Sequence, residues 1–217
     1  MPTPKEGYYL ADGTRVPGVT TIISRFKESG GLMYWAWNEG REGRDYRDTS
    51  RTAADAGTLA HALVESRIKH VAEPDMSGVS VDIATKARGA FAAYLTWEDQ
   101  TKLAVVETEP KLVSERYRFG GTPDAIIALD DKLAMGDWKS GNAVYADHLI
   151  QIAAYKYLWE ENHPDRLLAG GYHLCRFAKE HGDFAHHFFP NLDEAWEMFL
   201  LYRRAYDIDK GLKKRAA

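Results

Sequence analysis

Cysteine is the scarcest functional group in this chain: Cys175 is the only one in 217 residues. A single thiol excludes an internal disulfide, a cysteine-rich zinc knuckle and a four-cysteine iron–sulfur cluster. Long apolar runs are missing as well. None approaches the ~20 residues needed to cross a bilayer, so no membrane partner is expected. The opening residues Met1-Pro-Thr-Pro-Lys-Glu6 have neither the apolar stretch of a secretory signal nor the Arg- and Ser-rich character of a transit peptide. A cytoplasmic, non-secreted protein is the expectation. Positive charge is not in excess either: 28 Lys and Arg stand against 32 Asp and Glu, a net charge of −4. Taken alone, that speaks against a nucleic-acid partner, whose usual footprint is a basic protein. No Gly-rich phosphate loop is present, which leaves a sugar- or nucleotide-processing reading without support.

No repeat, low-complexity tract or Pro/Ser-rich linker divides the chain. At 45% apolar and 28% charged residues it has a globular composition, and its length suits one core. The expectation is a single domain over residues 1–217: a helix-rich part at about 20–100, a sheet core at about 102–190 and a C-terminal helix at about 192–212. Tyr8 to Val19 reads as a hairpin around Ala11-Asp12-Gly13, followed by a short helix that Thr20, Thr21 and Ser24 could cap. Helices are expected from about Leu32 to Val71, with a break near Thr49-Ser50, and from about Val81 to Gln100. From Lys102 the pattern changes to short apolar or alternating segments bounded by Pro and Gly: 103–106, 111–113, 117–119, 125–129 and 132–139. A helix at about 144–162, strands at 167–177 and 184–189, and the last helix complete an α/β arrangement with a central mixed β-sheet flanked by helices.

Asp130-Asp131 separates two apolar strands and reads as a two-residue turn. Paired positions then sum to 261, which sets Asp124 opposite Asp137. Carboxylates so placed destabilise a sheet unless something compensates, and a divalent cation is the usual remedy. Asp137 and Lys139 share a face at i and i+2, while Trp138 points to the other. Slipping the register by two would set Asp124 opposite Lys139 and keep the cluster; slipping by one would destroy it. Two carboxylates and an ammonium on one face can hold a metal and stabilise negative charge in phosphodiester hydrolysis. A plain salt bridge between Lys139 and either aspartate is the competing reading.

Two helical pairs bear on that choice. His61 and Glu65 lie one turn apart, as do Gln151 and Tyr155 on the helix after the Lys139 strand. Each pair alone says little, since a lone His on such a face is more often a satisfied core residue than a ligand.

In order, Gly57-Thr-x-x-His61-x-x-x-Glu65, Gly121-Thr-Pro-Asp124, Asp137-Trp-Lys139 and Gln151-x-x-x-Tyr155 resemble the RecB-type, phage-exonuclease-like branch of the PD-(D/E)xK nuclease superfamily. The segment Pro17-Gly-Val-Thr-Thr-Ile22 is similar to the N-terminal stretch of some members. The resemblance spans roughly residues 17 to 155 and implies a restriction-endonuclease-like core. It also implies a nuclease in which His61, Asp124, Asp137 and the Trp138 carbonyl bind Mg²⁺ or Mn²⁺. Lys139 would position the attacking water and stabilise the phosphorane charge, and Gln151 and Tyr155 would contact phosphate or brace the site. Glu65 could support His61 or hold a second ion; Glu109 is another candidate for that ion. The single cysteine sets the chain apart from relatives with an iron–sulfur cluster. The implied partner is DNA, as duplex ends or single strands, with a recombination or replication protein as a further partner, in a bacterial or phage-infected cell. A noncatalytic DNA-binding or assembly protein on the same scaffold is the alternative.

Arg41, Arg44, Arg47 and Arg51 recur at helical spacing and could track a phosphate backbone, although Asp45 and Asp48 are placed to pair with Arg41 and Arg44 within one helix. Tyr34, Trp35 and Trp37 could stack on bases but read as core. His148 shares the Gln151/Tyr155 face. His181, His186 and His187 lack metal-ligand spacing, and the basic C-terminal stretch reads equally as a DNA contact or a solvated end.

Overall fold

The computed structural model describes residues 7–27, 30–141, 143–177 and 184–216. The strands are β1 (Tyr8–Tyr9), β2 (Arg15–Val16), β3 (Ala104–Thr108), β4 (Leu112–Ser114), β5 (Phe119–Gly121), β6 (Ala125–Leu129), β7 (Lys132–Ser140), β8 (Tyr172–Phe177) and β9 (Phe184–Phe189). The helices are α1 (Val19–Ser24), α2 (Gly30–Arg41), α3 (Tyr46–Ile68), α4 (Val81–Thr101), α5 (Ala146–Asn162) and α6 (Asp193–Ala216).

The central sheet has the order β3-β6-β7-β8-β9. Its pairs are antiparallel except β7 with β8, which run parallel across the α5 crossover, so the sheet is mixed and the fold is α/β. Side chains alternate between the two faces. Ile126, Met135, Tyr172 and Leu174 pack with Ile152, Tyr155, Leu158 and Trp159 of α5, and with Trp196 and Phe199 of α6. Ala125, Ile127, Ala134, Trp138 and Cys175 pack with Leu63 and Val64 of α3 and with Phe91, Tyr94 and Trp97 of α4. The thiol of Cys175 is buried in this second layer, and desolvation raises its pKa well above the ordinary thiol value.

The β6–β7 register is the one the turn arithmetic gives: Ala125 pairs with Gly136 and Leu129 with Lys132. Asp130 and Asp131 both take positive φ, 47° and 61°, as a two-residue turn matched to strand twist requires.

Three expectations need correction. The segments at 112–114 and 119–121 do not join the central sheet but form a separate two-stranded β4–β5 unit. Its glycines explain this: a Cβ on Gly121 would sit 2.6 Å from Tyr155 Cε1, and one on Gly120 would sit 2.3 Å from Tyr8 Cγ. The bare backbone lets the hairpin lie against α5 on one side and the N-terminal hairpin on the other. The helical break falls at residues 42–45, not at Thr49-Ser50. Gly43 turns the chain at φ 72°, and the Asp45 carboxylate accepts from Arg47 N at 2.8 Å to start α3. Finally, α1 starts at Gly18 without any side-chain cap. No helix among the described residues is long and apolar enough to cross a membrane.

Candidate active site

Asp124 lies one residue before β6, and Asp137 and Lys139 lie on the neighbouring β7. Asp124 is 5% exposed and Asp137 1%, which makes them the two buried aspartates of a sheet otherwise lined by apolar side chains. Asp124 Oδ2 accepts a hydrogen bond from Trp138 N at 2.8 Å, so the carboxylate spans the space between the strands. Lys139 Nζ approaches Asp137 Oδ2 to 2.7 Å as an ion pair, but Asp137 Oδ1 is buried with no hydrogen-bond partner. Burial pushes the Asp137 carboxyl up to about 6, against the opposing pull of Lys139. Burial raises Asp124 for the same reason. Burial alone would lower Lys139, but Asp137 and Asp124 outweigh it and hold the ammonium above its usual value. Two carboxylates and one ammonium leave a buried net negative charge, so the salt bridge exists without accounting for the whole cluster.

The helices on either side of the sheet border this cluster. From α3, His61 lines a small crevice with Glu65, Glu109, Asp124 and Trp138. Desolvation lowers its pKa, with Lys139 acting in the same direction and Asp137 opposing, so a neutral imidazole faces the carboxylates. From α5, Gln151 Nε2 donates to Tyr155 Oη at 3.0 Å. Burial raises Tyr155 strongly, and Asp137 and Asp124 add to the rise, so the phenol stays neutral. His148 is brought to the same cluster: burial first, then Lys139, presses its pKa down to about 4, while its Nδ1 accepts from Tyr145 N at 3.3 Å.

Glu65 and Glu109 come together as well. Lys69 pairs with both, 2.8 Å from Glu109 and closer still to Glu65. An ammonium therefore stands between the two carboxylates considered for a second ion. Spacing within α3 could have suggested the Lys69–Glu65 pair; the Glu109 contact depends on tertiary structure.

Among the described residues no three His, Cys, Asp or Glu side chains close around one point as a ready-made metal cage. The donor set fits a hard divalent cation nonetheless. Asp137 presents an unsatisfied buried oxygen, and Mg²⁺ typically binds through one or two carboxylates while keeping several waters.

The arginines do not form the expected single stripe. Arg41 ends α2 and lies over the Trp37 ring at 4.7 Å. Arg44 lies in the break and grips Glu39 through two 2.8 Å hydrogen bonds, and also pairs with Glu42. Arg47 lies over Tyr46, and the Arg51 side chain is outside the described residues. Pairing with Asp45 and Asp48 fails because the turn at 42–45 rotates α3 away from α2. Tyr34 and Trp37 are 65% and 55% exposed, so they are not core. His181 lies outside the described residues, whereas His186 Nε2 meets His173 Nδ1 at 2.9 Å on the far strands of the sheet.

The model of the PD-(D/E)XK nuclease superfamily matches residues 33–199. The chain belongs to that superfamily. A crystal structure of a candidate exonuclease from Eubacterium rectale shares the fold at a TM-score of 0.51 and 14% identity, over 67% of this chain and 64% of that one; the match thus spans less than two thirds of its length. The protein SSO0001 aligns at 16% identity over 69% of this chain and 74% of its own, with a TM-score of only 0.31. No protein of curated function matches the sequence. The matched region contains His61, Asp124, Asp137, Lys139, Gln151 and Tyr155.

Proposed function

We propose that this chain is a metal-dependent deoxyribonuclease, that residues 1–217 form one nuclease unit, and that it works as an exonuclease. The observation that carries the reading is Asp137, a fully buried carboxylate with an unpartnered oxygen beside Asp124 and Lys139. In this reading Asp124, Asp137, His61 and the Trp138 carbonyl hold Mg²⁺ or Mn²⁺. Bound there, the cation lowers the pKa of a water and neutralises the scissile phosphate. Lys139, held protonated by its carboxylate neighbours, orients that water and stabilises the charge that builds up on the phosphorus oxygens. Tyr155, kept neutral and fixed by Gln151, offers a hydroxyl donor to phosphate, and neutral His148 borders the same space. Glu65 and Glu109 hold Lys69 and give this edge of the site a mixed charge. The superfamily supports DNA as substrate, and the exonuclease neighbour supports action from an end, in recombination, repair or phage DNA processing. A noncatalytic DNA-binding role is the weaker reading, because the Asp124, Asp137 and Lys139 cluster is intact.

The test is incubation with linear and circular duplexes of one sequence in Mg²⁺, Mn²⁺ or chelator. Loss of linear DNA with circular DNA intact, and no digestion in chelator, is expected. Digestion that survives chelator removes the metal, and equal attack on circular DNA removes the exonuclease assignment.

A further inference from the structure

A cleft of about 260 Å³ lies between the β1–β2 hairpin, α1 and α6, lined by Tyr8, Arg15, Gly18, Thr21, Tyr206 and Lys210. Two of these are cations supplied by distant parts of the chain. The acids beside Lys210 are engaged elsewhere: Asp209 with Arg25 and Lys213, and Asp207 with Arg203. Among the described residues no carboxylate pairs with Arg15 or Lys210, although their neighbours Arg25, Arg203 and Lys213 are each held in an ion pair. Thr21 and Tyr206 also line it, so the cleft offers polar side chains and positive charge without an anion among the described residues. It also adjoins the candidate active site. Its floor is Tyr8, 5% exposed, whose hydroxyl lies 3.0 Å from Thr122 Oγ1, two residues before Asp124.

We propose that this cleft binds a phosphate group of the nucleic-acid strand being hydrolysed, an inference that rests on the nuclease reading. A guanidinium fork and an ammonium converging on one space are matched by phosphate oxygens, which take up both charges and the hydroxyl protons together. The phosphate is either the terminal group of an end or an internal one of the backbone; the chemistry is shared, and the two sources differ in what removing the cations does.

The experiment measures equilibrium binding of internally labelled 12-nucleotide strands and duplexes, with phosphate or hydroxyl ends, in chelator at about 50 mM salt, where protein–phosphate contacts are strong. Wild-type chain is compared with the double variant R15Q/K210Q, both positions being exposed and thus tolerant of change. The variant is expected to bind at least about tenfold more weakly, as befits two lost charged hydrogen bonds. Loss confined to phosphate-ended strands assigns the terminal group. Equal loss for every end, with the log–log salt slope smaller by about two, assigns the backbone. Affinity and slope within twofold of wild type for all probes would overturn the proposal, as would no measurable binding by the wild-type chain. Hydrolysis does not enter this measurement. A chain that fails to digest DNA but binds it through Arg15 and Lys210 loses the nuclease reading and keeps the cleft, and a chain that digests DNA with no effect of R15Q/K210Q does the reverse.

Discussion

At the scale of the residue, the decisive group is the Asp137 carboxyl. It titrates near neutrality because burial outweighs Lys139, and the direction of its effect on stability follows from linkage. The folded pKa is about 6, above the ordinary carboxyl value of about 3.9 expected in the unfolded chain. Below both values the group is neutral in both states and contributes nothing. Between them the unfolded chain loses its proton first, so metal-free stability falls as pH rises from about 4 to about 6 and levels off above. Asp137→Asn cannot ionise. In chelator its melting temperature is therefore expected to gain on wild type across that interval, reaching a lead of several degrees. A lead that stays constant from pH 4 to 8 contradicts the assignment. Added Mn²⁺ should reverse the order by raising the wild type alone. Gly121 gives a second prediction at this scale. A methyl group would meet Tyr155 Cε1 at 2.6 Å and Leu158 Cδ1 at 2.8 Å, so Gly121→Ala is expected to cost about 1–3 kcal/mol of stability by overpacking, read by denaturant titration.

At the scale of the element, the β6–β7 hairpin carries the proposed site, and its turn sets the register. Replacing Asp130-Asp131 with Asn-Gly, which suits two consecutive positive φ angles, should preserve activity and raise the melting temperature. Inserting one residue between them moves the β7 side chains to the opposite face relative to β6 and should abolish hydrolysis; an insertion variant that still digests DNA would show that the register is not what aligns Asp124 with Asp137. This hairpin was legible in the sequence because turn chemistry and strand parity are local. The β4–β5 unit was not: only contacts with Tyr8 and Tyr155, far away in sequence, show why Gly120 and Gly121 leave the central sheet. The break before α3 was signalled by Gly43 and Asp45 but expected near Thr49-Ser50, residues that lie inside α3. The exposure of Tyr34 and Trp37 and the bridging of Glu65 and Glu109 by Lys69 depend on how helices and strands meet, which spacing does not encode.

At the scale of the whole molecule, a net charge of −4 coexists with membership of a nuclease superfamily because charge is distributed by site. Asp124 and Asp137 are buried where a bound dication would offset them, and Arg15 and Lys210, without an ion pair among the described residues, line the cleft beside the N-terminal hairpin. Phosphate contacts by basic side chains release counterions, so DNA affinity should fall as salt rises. The central claim is that Asp124, Asp137 and Lys139 form a metal-dependent hydrolytic centre. The most direct test is the single-turnover rate of linear DNA hydrolysis in Mn²⁺ for wild type, Asp137→Ala and Lys139→Ala, with far-ultraviolet circular dichroism confirming that each is folded. Each variant is predicted to fall at least about 100-fold, the scale of removing one preorganised charge-stabilising group. A folded variant that keeps more than about a tenth of the wild-type rate, a loss under 1.4 kcal/mol in barrier, would contradict it.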